Sequence, residues 1–226
     1  MITGVGRVNS GTGVDASRSP GRDSKGDART YPEGLRGAPP TAFHDHVLRP
    51  RKRPAMRVYV PLTLPGLAEA YKTGELGAEP LLAYAVTPAL REWYLSDDIE
   101  ELEYAALNRA ALASLRLLAA DAGAVRRRVV VAVDVADGAA VADPDRALDP
   151  TALGEVRVAG TVKLAKAAAV HVDSDDAEED VTAAVDALAA ADGGDDDAQF
   201  VVDGAEDHEL LWYATQEIPH LVGWGG

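Results

Sequence analysis

Cysteine is absent from all 226 residues. Disulfides, thiolate metal centres and a cysteine nucleophile are thereby excluded. Long hydrophobic runs are missing too: no stretch approaches the ~18 apolar residues that span a bilayer. The opening residues, MITGVGRVNSGTG, lack the apolar centre of a secretory signal. These absences lead to an expected cytoplasmic location without a membrane partner. No GxSxG elbow offers a serine nucleophile, and no internal repeat is visible. Lysine is scarce, five against seventeen arginines, a bias that a GC-rich genome also produces.

What is present divides at Met56. Residues 1–55 have no hydrophobic period and are rich in Gly, Ser, Pro and Arg. They carry 10 Lys+Arg against 5 Asp+Glu, whereas residues 56–226 carry 12 against 32, a net charge of −20. The composition predicts a disordered basic tail over 1–55 and one acidic globular domain over 56–226. Met56 is the expected natural start. The strong negative charge repels nucleic-acid phosphates and anionic lipid, and favours solubility and basic or metal-ion partners without specifying either.

Within the tail, GVGRVNSGTG places Asn9 where a dinucleotide fingerprint needs its third glycine, and no strand precedes it. His44-Asp45-His46 is a weak metal pattern, and Arg49 to Pro54 (RPRKRP) is a basic run that could serve as a nucleic-acid arm. Disorder accounts for all three.

In the domain, Arg57–Pro61 alternates as a strand with Val58 and Val60 on one face. A helix follows from about Pro65 and closes at Gly74 and Gly77. Leu81–Val86 reads as a strand. Thr87-Pro88 opens a short helix, Thr as the cap and Pro where no N–H is needed. Asp97 with Glu100 forms a capping box for the longest helix. Its buried stripe is Ile99, Leu102, Ala106, Ala110, Ala113 and Leu117, and Gly123 ends it. Arg126–Val135 is a central strand, apolar on both faces. Glu155–Val162 and Lys166–Val172 are two strands close enough for a hairpin. Ser174 or Asp175 caps a helix through Leu188, Phe200–Val202 reads as a short strand, and a last helix runs from about Glu206 to Ile218, stopped by Pro219. The order predicts an α+β fold: a mixed sheet of four to five strands with helices packed on it.

Few motifs carry chemistry. His208-Glu209-Leu-Leu-Trp212 begins like a zincin helix, but Trp212 stands where the second histidine belongs. The acidic runs from Asp173 and Asp192 miss the glycine and glutamate positions of an EF-hand loop. No cofactor and no bound metal is expected. One constellation remains. Asp134, then His171 with Asp173, lie at strand ends, and His208 with Glu209 at a helix start. If these ends converged they could hold a divalent metal or supply a general base, as in a small metal-assisted hydrolase. The competing reading is a non-enzymatic interaction or regulatory domain that binds a protein partner or itself. It would use an exposed Trp93 or Trp212 and the acidic residues around Asp97 and Asp98. One residue of each pair, Trp93-Tyr94 and Trp212-Tyr213, is expected in the core.

The strings MRVYVPLT from Met56, YAVTPALREWY (84–94), SDDIEELEYAALNRAA (96–111) and HELLWYATQEI (208–218) resemble an uncharacterised family of actinobacterial proteins, a domain of unknown function. The resemblance covers nearly all of residues 56–222. It implies that the domain begins at MRVYVPLT and that the tail is foreign to the family. It implies no activity, cofactor or site.

Overall fold

The structure is a computed structural model that describes residues 55–146 and 149–223. The glycine run, His44-Asp45-His46 and RPRKRP all lie outside the described residues. In chain order the elements are β1 (Ala55–Leu62), α1 (Leu64–Thr73), β2 (Glu75–Leu76), β3 (Leu81–Ala85), α2 (Pro88–Tyr94), α3 (Ile99–Ala120), β4 (Val129–Ala136) and β5 (Ala140–Val141). Then come β6 (Glu155–Val158), β7 (Val162–Lys163), β8 (Ala167–Val172), α4 (Glu178–Asp192), α5 (Asp196–Gly204), β9 (Leu211–Tyr213) and α6 (Ile218–Leu221). The fold is α+β, as expected, but the sheet is larger: seven strands in the order β5-β6-β3-β1-β4-β8-β9, beside a separate β2-β7 ribbon. Every ladder described is antiparallel rather than a mixture.

The alternation of β1 and β4 sends apolar residues to both faces, so the sheet is covered twice. On one face Val58, Val60, Val129, Val131 and Val170 pack with Leu67 and Ala70 of α1, Ile218 of α6 and Leu76 and Val162 of the ribbon. On the other, Tyr59, Tyr84, Val130 and Ala132 meet Leu90 of α2 and Leu102, Ala106 and Ala110 of α3. Ser114, fully buried on α3, ties helix to sheet by donating to the Leu62 carbonyl at 2.6 Å and accepting from Val129 N–H at 2.9 Å. Beyond the sheet, Leu115 and Leu118 of α3 pack with Val181, Ala184 and Leu188 of α4 and Val202 of α5 in a third core. No helix among the described residues is long and apolar enough to cross a membrane.

The helix signals succeed where a cap fixes them. Thr87 Oγ1 accepts from Leu90 N–H at 3.2 Å and starts α2. Gly74, at φ 73°, closes α1 in the left-handed conformation that glycine adopts freely. Other expectations fail for identifiable reasons. The cap of α3 is Asp98, not an Asp97–Glu100 box: Asp98 Oδ1 accepts from Glu100 N–H at 2.9 Å and Glu101 N–H at 3.3 Å. Ser96-Asp97-Asp98 offers three capping side chains in a row, and the last one starts the helix. Ile99 and Leu117, expected in the buried stripe, are exposed. The helix ends at Ala120 before Gly123.

Phe200–Val202 lies in α5, where Asp195 caps the helix by accepting from Ala198 N–H at 3.0 Å. The helix expected over Glu206–Ile218 is instead a loop, the edge strand β9 and the short α6. Pro219 sits in the first turn of α6 rather than stopping a helix. The two strands expected to form a hairpin part company: β6 joins β3, β7 joins β2 and β8 joins β4.

Candidate functional site

Antiparallel pairing decides the fate of the strand-end constellation. Asp134 lies toward the C-terminal end of β4, and Asp173 follows the C-terminal end of β8. Neighbouring antiparallel strands end at opposite edges of a sheet, so the two carboxylates are held apart. Asp134 sits opposite Arg57 of β1 and pairs with it across the strands, Oδ1 to Nε at 3.0 Å and Oδ2 to the guanidinium at 3.2 Å. His171 stands between Val130 and Trp212 in the ladder, half-buried. Burial, and then the charge of Arg57, hold its imidazole below the usual histidine range.

Asp173 is fully buried and fully used. Arg128, itself buried, meets it with Nε at 2.9 Å from Oδ2 and Nη2 at 2.7 Å from Oδ1. Arg128 N–H adds a third bond to Oδ2 at 2.7 Å, and Nη2 reaches on to the His208 carbonyl at 2.9 Å. Arg128 thus brings Asp173 and His208 to one place, as a strut that pins the end of β8 to the loop before β9. The His208 imidazole turns away to Asp180 of α4, Nε2 to Oδ2 at 2.6 Å. Glu209 is exposed on the loop. Among the described residues no group of three or more His, Cys, Asp or Glu is placed to hold a metal ion.

Beside the strut lies a cleft of about 450 Å³ lined by Arg127, Ser174, Asp175, Leu211, Tyr213 and His220, among others. The sequence marks Ser174 and Asp175 only as a helix cap and Tyr213 only as half of an aromatic pair, and none of the six as a site residue. Its charged groups are engaged: Arg127 binds the Asp173 carbonyl at 2.8 Å and Asp175 at 2.8 Å, and Glu217 caps Ala214 N–H at 2.7 Å. The triple arginine at 126–128 was the available signal. A cationic run leading into an apolar strand must place at least one side chain near the sheet.

The corner between α2 and α3 presents the opposite character. Trp93 and Tyr94 are both exposed, Trp93 at 57%, where one of the pair was expected in the core. Leu95 is 91% exposed and has φ 50°, the single non-glycine residue with positive φ among those described. Exposed Ile99 follows. The rim is acidic: residues 91–103 hold six carboxylates against one arginine. Asp98 is spent on its cap, whereas the Asp97 side chain stands in solvent, 3.7 Å from Arg91. Trp212, also exposed, sits far along the chain on edge strand β9, with Tyr213 half-buried beside it. Both are in a strand rather than the helix expected for them.

Residues 56–222 match the profile of a family of unknown function, DUF6912. The chain belongs to that family. No curated protein and no solved structure matches it. The DUF6912 match begins at the second residue of β1 and runs through α6. The strut, the cleft and the apolar corner all belong to the DUF6912 domain.

Proposed function

We propose that this domain is a non-enzymatic interaction module of the cytoplasm, which takes a basic, apolar-bearing segment of another protein at the α2–α3 corner. The observation that carries the reading is Leu95. A leucine in the left-handed region costs roughly 1–2 kcal/mol, and here the side chain is turned almost wholly to water. The left-handed turn closes α2, with Leu95 N–H donating to the Glu92 carbonyl and Ser96 N–H to the Arg91 carbonyl, each at 3.3 Å, but glycine would serve that cap without strain and the leucine side chain adds no burial to it. A partner that covers Leu95 together with Trp93, Tyr94 and Ile99 would supply that burial. Strained residues of this kind cluster at ligand clamps and switches.

The charge distribution selects the partner. Two copies meeting through this corner would oppose Glu92, Asp97, Glu100 and Glu101 to themselves, so self-association there is disfavoured. A segment carrying lysine or arginine around an apolar anchor fits the rim. Nucleic acid and anionic membrane are repelled by the same carboxylates.

The test separates stability from binding. Leu95→Gly is expected to raise unfolding free energy by about 1 kcal/mol, because glycine relieves the strained φ and the leucine buries nothing. Leu95→Asp and Trp93→Ala should leave the melting temperature within about 2 °C of the wild type. All three should lose a basic partner recovered by the wild-type chain from its source cells, and the wild-type complex should weaken as salt rises. A partner retained equally by Leu95→Asp and Trp93→Ala would overturn the assignment.

A further inference from the structure

From Arg57 onward the domain holds twelve lysines and arginines against 32 carboxylates. Ten of the twelve reach a carboxylate or a backbone carbonyl: for example Arg116 to Asp192 at 3.2 Å, Arg126 to the Leu118 carbonyl at 2.7 Å, and Arg146 to Glu155 at 2.9 Å. Two have no such partner among the described residues. Lys166 is exposed, and water satisfies it. Arg109 is half-buried on α3, where a guanidinium without an anion is costly.

Arg109 faces a groove of about 400 Å³ between α3, α4, α5 and the turn at Pro150-Thr151. Arg116, two helical turns on, lines the same groove, and Leu112 lies between them on the same stripe. Leu188 of α4 and Val202 of α5 add apolar lining beside the polar Asp192 and Gln199. The bond from Arg116 to Asp192 is a surface ion pair between two exposed side chains, worth little and readily exchanged. Glu206 feels the charge of Arg109, but neither it nor any other carboxylate among the described residues forms an ion pair or hydrogen bond with that guanidinium. Arg109 therefore has no direct counter-ion, and the groove it lines has the size of a small-molecule site.

We infer that this groove binds a small amphipathic organic anion, its acidic head on Arg109 with Arg116 in support, and its short apolar body along Leu112, Leu188 and Val202. The site is separate from the α2–α3 corner and does not depend on it.

Titration calorimetry of the full chain with octanoate tests the inference, with inorganic phosphate as the head-only control. Saturable one-to-one binding of octanoate is expected, weakened at least tenfold by Arg109→Gln and unchanged by Lys166→Gln. Arg109→Gln should melt no lower than the wild type, because no internal bond is lost. No saturable octanoate binding, equal binding by Arg109→Gln, or phosphate binding as tightly as octanoate would each overturn it. A marked fall in melting temperature for Arg109→Gln would also count against it, since that would make Arg109 a structural residue.

Discussion

At the scale of single residues, the Arg128–Asp173 pair dominates. Both side chains are buried, and together they hold β8, the start of β4 and the His208 loop. Breaking a buried pair leaves a charge without its partner, at a cost of about 3–5 kcal/mol. Asp173→Ala should lose that much in chemical denaturation. Combining it with Arg128→Met should recover part of the loss, leaving about 1 kcal/mol for each surrendered backbone bond. His171 supplies a pH test. Its imidazole is held below the usual range, so the folded chain binds fewer protons there than the unfolded chain. Stability is then lost as pH falls below about 6.5. Glu206 shifts in the opposite sense, but it is common to wild type and His171→Gln and cancels between them. The stability of wild type relative to His171→Gln should decline on acidification from about pH 7.5 to 5.5. A flat difference would mean that the imidazole is in water. Little of this was legible in the sequence. Asp173 and His208 were both singled out, but as free ligands. Arg128, which neutralises Asp173, lies 45 residues before it, and Asp180, which takes the His208 imidazole, lies 28 residues before that histidine; no local pattern links either pair.

At the scale of elements, legibility followed the length of the signal. The first strand, the central strand β4, α2 and α4 were readable because each combines several periodic apolar positions or a cap with a Pro or Gly mark. The stripe on α3 was read too narrowly. The helix buries one side against the sheet through Leu102, Ala106 and Ala110 and another against α4 through Leu115 and Leu118. A stripe of two sides has no single period. Leu102→Ala should therefore cost about 2–5 kcal/mol, whereas Ile99→Ala and Leu117→Ala should each stay within about 0.5 kcal/mol of wild type, all by urea denaturation. The stretch His208–Ile218 misled for a different reason. Leu211–Tyr213 is only three residues long, too short to show alternation, and its strand character comes from the ladder that β8 offers it.

At the scale of the whole molecule, charge is the governing quantity. With twelve cations against 32 carboxylates from Met56 onward, the folded domain repels itself at low ionic strength. Raising NaCl from about 10 mM to 150 mM shortens the Debye length from ~30 Å to ~8 Å. The melting temperature should rise with it, by ~2–4 °C for each kcal/mol of repulsion relieved. A fall would mean that screened attractive pairs outweigh the repulsion. Binding of a basic partner at the α2–α3 corner should respond in the opposite direction over the same range, so the two effects are separable on one sample.

The strand order has a consequence for how the chain is made. β1, the first strand of the sheet, occupies its middle; β3 then joins one side and β4 the other, β6 adds outside β3, and β8 and then β9 add outside β4. Apart from the two-residue β5, which waits for β6, each strand leaving the ribosome finds an open edge already in place. None has to wedge between two strands that are already paired. A nascent chain, synthesised from its N-terminus at about 5–20 residues per second, can therefore lay this sheet down from the inside outward, in the order in which it is translated.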